Sequence, residues 1–138
     1  MIYQLVEAIR QAFPAVVVYA NVYEEDATQP QIPDQIVLVS PSGGPSAPWF
    51  KFTRATYHIL VRDISAPAAE QLADEIWHTF HGNFGLVLPA VNNVNGVNYP
   101  EIQTAQISAV QRPGCIGADA AGRIQYSMNF IVIYVEVD

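Results

Sequence analysis

The chain has 138 residues and a single cysteine, Cys115, so no disulfide can form within it and oxidative stapling plays no part in its folding. Basic residues are also scarce. Six Lys and Arg stand against thirteen Asp and Glu, a formal net charge of −7. That balance cannot furnish the phosphate-neutralising face on which nucleic-acid binding depends, which disfavours a reader of DNA or RNA. Long hydrophobic runs are missing as well. No stretch approaches the ~20 consecutive apolar residues of a membrane-spanning helix, and Glu7 and Arg10 interrupt the apolar pattern of the N-terminus. The expectation is a soluble, unprocessed protein folded in the cytoplasm.

What is present is apolar surface: 51% of residues are hydrophobic and 11% aromatic. A chain of this length suits one domain, which predicts a single unit over residues 1–138 with no internal linker. Ile2, Leu5, Val6, Ile9 and Phe13 recur at helical spacing with Glu7 and Arg10 on the opposite face, and Pro14 stops the helix. The β-branched and aromatic run 16–23 reads as a strand, 24–35 as an exposed loop, 36–39 as a short strand and 40–48 as a second long loop. Residues 52–62 alternate as a strand. Ser65 and Pro67 then open a second helix that ends near His81, with Gly82 as its stop. Residues 86–91 and 97–99 flank an Asn95-Gly96 turn, 102–111 form another strand, and 123–137 form a long last one.

In that last strand Ile124, Tyr126, Met128, Phe130, Val132 and Tyr134 alternate with Gln125, Ser127, Asn129, Ile131 and Ile133. One face is apolar almost throughout; the other becomes so only toward the C-terminal end. This predicts a central antiparallel strand whose second face is covered partway along. The whole reads as an α+β fold, a mixed and largely antiparallel sheet packed by two main helices.

Candidate chemistry is thin. Glu75, His78 and His81 recur at three-residue steps on the second helix, with Asp74 one turn before His78. The set lacks a metalloprotease pattern or a third neighbouring histidine, so these residues read as surface and no metal is expected. His58 reads as a satisfied strand residue, and Cys115 as an apolar filler in a loop. Ser42-Gly43-Gly44 has no following lysine and is no phosphate loop. No catalytic residue and no cofactor are expected. Trp49 and Phe50, next to Lys51 and Arg54, combine the residue types that dominate interface hot spots, which makes all four partner-contact candidates. Glu24, Glu25 and Asp26 concentrate negative charge in one loop.

Two stretches carry a resemblance. Arg62-Asp63-Ile64 with the helical run from Ala69 to Gly85, and the run from Arg112-Pro113-Gly114 through Asp119 and Gly122-Arg123 into IQYSMNFIVIYVE, are similar to the tail terminators of long-tailed phages and prophages. These are also called minor capsid or tail completion proteins. The resemblance implies a non-enzymatic virion protein that assembles with copies of itself as a ring, usually a hexamer. The ring caps the tail tube, ends its polymerisation and meets a neck or head-completion protein while DNA passes through the lumen. Glu24, Glu25 and Asp26 are then candidates for the lumen, and Trp49 and Phe50 for the tube contact. The alternatives are a neck or head–tail connector of the same fold type and, in another class, a small ferredoxin-like domain binding a ligand or metal through His78 and His81.

Overall fold

The computed structural model describes residues 1–20, 35–43 and 52–135. The first helix, α1 (Ile2–Ala12), ends where the Phe13 N–H donates to Ile9 O and Pro14 follows. Two strands come next, β1 (Val18–Ala20) and β2 (Gln35–Gly43), then β3 (Phe52–Asp63). In the second helix, α2 (Ala66–Phe80), Ser65 caps the first turn by accepting from the Ala68 N–H at 3.4 Å, and Pro67 lies in that turn. Short strands β4 (Asn83–Phe84), β5 (Val87–Leu88), β6 (Val91–Val94) and β7 (Val97–Tyr99) precede β8 (Ile102–Ala109), β9 (Gly114–Ala118) and β10 (Ile124–Val135).

Eight strands form one mixed sheet in the order β1-β2-β3-β10-β8-β4, with β5 added to β8 and β9 added to β10; β6 and β7 make a separate hairpin. Among the described residues only β1 and β2 run parallel. The expected α+β architecture, a largely antiparallel sheet with two helices, is what the chain adopts. β10 is the central strand, pairing β3 along its length on one side and β8 then β9 on the other. β8 and β9 act as one strand interrupted by residues 110–113, where the Val110 N–H donates to Asn129 O.

Both helices cover the same face of the sheet. Leu5, Val6 and Ile9 from α1 and Leu72, Ala73, Ile76 and Phe80 from α2 meet Val37, Val39, Tyr57, Ile59, Val61, Ile107, Met128, Phe130 and Val132. Every second residue of the strands therefore lies in this core, as the pleat requires. At roughly 1.5–3 kcal/mol for each large apolar side chain fully removed from water, the layer contact is the main source of stability.

Several elements differ from the sequence reading. Ser40–Gly43, expected as loop, continue β2 against β3. Pro41 lies opposite Tyr57, where the β2–β3 register shifts before Gly43, and a proline is tolerated at such an irregularity. Cys115, expected in a loop, is an exposed residue of β9. The expected strand 86–91 divides into β5 and β6 around Pro89-Ala90. The Asn95-Gly96 turn forms as expected, both residues having positive φ (51° and 82°). The second face of β10 is also different. Ile131 and Ile133 stay half-exposed, whereas the buried residues on that face are Ile36 and Leu60, at the other end of the sheet.

Candidate functional site

The face of the sheet away from the helices is the surface with most to explain. Directly opposed residues share a face, so the register defines its rows. Phe84, Gln106, Ile133 and Arg54 form one row across β4, β8, β10 and β3. Ser108, Ile131 and Thr56 form the next, and Asn129, His58 and Ser40 the one after. Val110 lies beside Asn129 at the end of β8. Phe84 is 74% exposed and Val110 60%. With half-exposed Ile131 and Ile133 they set four apolar side chains on this face among Gln106, Ser108, Thr56, Asn129 and Arg54, a mixture suited to a protein–protein contact. No helix covers this face among the described residues.

Farther along, polar groups are tied to one another. His58 Nε2 and Ser127 Oγ share a 2.6 Å hydrogen bond, and partial burial pushes the His58 imidazole below its ordinary pKa. Arg62 Nε donates to Gln125 Oε1 at 2.9 Å and lies 3.8 Å from Asp119 Oδ2. The β9–β10 turn is built on Asp119. Its Oδ1 accepts from the backbone N–H groups of Ala121 and Arg123, and its Oδ2 accepts from Arg123 Nε at 2.8 Å. Gly122, at φ +84°, lets the chain close this turn, and Arg123 is only 1% exposed. The Asp…Gly-Arg pattern seen in the sequence is thus a structural clamp.

The histidines at the end of α2 are engaged with their neighbours. His81 Nδ1 accepts the Ala109 N–H at 2.8 Å, its ring stacks on Trp77 at 4.5 Å, and the Arg112 guanidinium lies over the same indole at 4.8 Å. His78 meets Trp77 edge-on, and Glu75 accepts from Gln71. Among the described residues no three His, Cys, Asp or Glu side chains are grouped to hold a metal ion. The 2.6 Å His58–Ser127 pair has the reach of a base and nucleophile, but among the described residues no carboxylate is hydrogen-bonded to the His58 ring to complete a triad.

Of the partner-contact candidates, Arg54 lies on the helix-free face, exposed and without an ion pair among the described residues. Trp49, Phe50 and Lys51 lie outside the described residues, as do Glu24, Glu25 and Asp26. Sequence reasoning missed Phe84 and Val110. The available signal was their position beside chain-breaking residues, Phe84 between Asn83 and Gly85 and Val110 just before Gln111-Arg112-Pro113.

A sheet with helices on one side and exposed apolar side chains on the other is the build of a structural subunit that works in contact with other proteins. The sequence profile of the bacteriophage tail terminator protein family matches residues 27–136, most of the chain, and the chain belongs to that family. It is accordingly a structural, tail-completion component of a phage particle. Compared with curated proteins, the chain finds no match. No helix among the described residues is long and apolar enough to cross a membrane.

Proposed function

We infer that the protein closes into a ring, six subunits by family likeness, that caps the end of the tail tube, ends tube polymerisation and presents a joining surface to a neck or head-completion protein. Its role is mechanical, without catalysis or cofactor. The observation that carries this reading is the helix-free face. Phe84, Val110, Ile131 and Ile133 are apolar surface that a monomer leaves in water, where exposed apolar patches of this kind mark contact sites. Trp49, Phe50 and Lys51, just before β3, and Arg54 within it are assigned to partner contacts. Glu24, Glu25 and Asp26 are assigned to the lumen, where like charge would keep passing DNA from adhering. Electron microscopy of purified protein, alone and with tail tubes, tests the reading. Rings at tube ends and an arrest of tube growth support it; tubes that elongate unchanged in excess protein refute it.

A further inference from the structure

One side of the protomer carries a cleft beside acidic side chains, and the other an exposed phenyl ring and an exposed arginine. On the helix side, a cleft of about 360 Å³ opens between the end of α1 and the first half of α2, lined by Phe13, Pro14, Ala68, Gln71, Leu72 and Glu75 among others. An apolar cavity of about 150 Å³ suffices for benzene, so this cleft has room for a phenyl ring. Phe84 supplies one. It is 74% exposed, the most exposed large apolar side chain among the described residues, and its pairing with Gln106 sets it on the opposite face of the sheet. Phe84 therefore cannot enter the cleft of its own protomer.

Charge follows the same division. The flank of α2 beside the cleft carries Glu70, Asp74 and Glu75, all exposed and without ion pairs among the described residues. The helix-free face carries Arg54, exposed and without an ion pair among the described residues, and the half-buried Arg62, 3.8 Å from Asp119. Like faces repel and unlike faces attract, which selects a head-to-tail arrangement over a two-fold dimer.

We propose that the occupant of the α1–α2 cleft is Phe84 of a second copy of this chain, the helix-free face of one protomer docking on the acidic α2 flank of the next. This rests on the ring reading and names the contact that closes the ring, since a head-to-tail contact yields a ring when its rotation closes.

Two single variants test it. Phe84→Ser removes the knob and Ala68→Phe fills the cleft; Phe84 is exposed and Ala68 only half-buried, so both should keep the native circular dichroism spectrum. In analytical ultracentrifugation and native mass spectrometry the parent chain forms a discrete oligomer, and each variant self-associates at least about tenfold more weakly. Mixed together, they form 1:1 heterodimers and nothing larger, because one good knob and one good cleft remain. Arg54→Glu also weakens the oligomer, and Glu75→Arg added to it restores association. A variant that keeps the parent oligomer, a mixture that fails to pair, or a parent chain monomeric throughout overturns the contact. Tube capping is scored separately. A monomeric parent that still caps tubes rejects this contact and leaves the tail reading standing. A parent that forms the knob-dependent oligomer but ignores tube ends does the reverse.

Discussion

Asp119 holds Arg123 twice: its Oδ1 accepts the arginine's backbone N–H and its Oδ2 the arginine's Nε–H, both at 2.8 Å. Arg123 is 1% exposed, so its charge has lost its water and depends on such contacts. Asp119→Ala removes a carboxylate from a buried guanidinium and two backbone acceptor contacts from the turn. The expected cost is about 3–5 kcal/mol, read as a fall in urea midpoint without a change in slope. Asp119→Asn retains an oxygen for the turn and loses the charge, and should fall between. A loss below about 1 kcal/mol for the alanine variant would show that the clamp contributes little.

The Asp119 clamp also marks the limit of what the sequence discloses. Local chemistry was readable: Ser65 and Pro67 open α2, Asn95-Gly96 makes its turn, and the alternation of β10 places Met128, Phe130 and Val132 in the core. β9 was not, because Gly114–Ala118 has no alternating pattern, and its strand character is conferred by pairing with β10. The same holds for Ser40–Gly43, whose proline argues against a strand until the register shift between Pro41 and Gly43 is known. Of the candidate site, Arg54 was legible as a charge near aromatics. Phe84 was hidden in a helix-terminating Gly-Asn-Phe-Gly stretch, since exposure on a two-residue strand is a product of topology alone.

His58 predicts a pH dependence. Partial burial lowers its pKa in the folded state, so the unfolded chain binds its proton more readily. Stability from this group is present above the unfolded histidine pKa of ~6.5 and is lost as pH falls toward the lower folded value. Melting temperature should decline from pH 7.5 to 5, and His58→Gln should reduce that decline. Parent and variant curves that run parallel across this range would remove His58 as the cause.

Phe130 tests the layer contact. It is 1% exposed in the middle of β10, paired with Tyr57 and Ala109 beneath the helices. Phe130→Ala should cost about 3–5 kcal/mol, the sum of lost transfer energy and a residual cavity. Ile131→Ala, one residue along on the half-exposed opposite face, should cost the monomer much less. Equal losses from the two variants in chemical denaturation would contradict the assignment of the two faces.

Metal independence is the expected outcome, since His81 is engaged with Ala109 and Glu75 with Gln71. Excess chelator should leave the melting temperature unchanged, and added Zn²⁺ should not raise it. A rise of several degrees with equimolar Zn²⁺, abolished by His78→Ala, would instead restore a metal role for α2.

Trp49 and Phe50 separate tube contact from folding and from ring closure. Both precede β3, on whose exposed face Arg54 stands. Aromatic anchors in a contact commonly account for 2 kcal/mol or more each, so ~30-fold or more in affinity. The double variant Trp49→Ala/Phe50→Ala should therefore lose binding to tail tubes in co-sedimentation while keeping its melting temperature and oligomeric state. A large fall in melting temperature would place the two aromatics in the core instead, and unaltered tube binding would remove them from the contact. Lost binding with the oligomer intact is the outcome that distinguishes a tube-facing loop from the subunit contact made by Phe84.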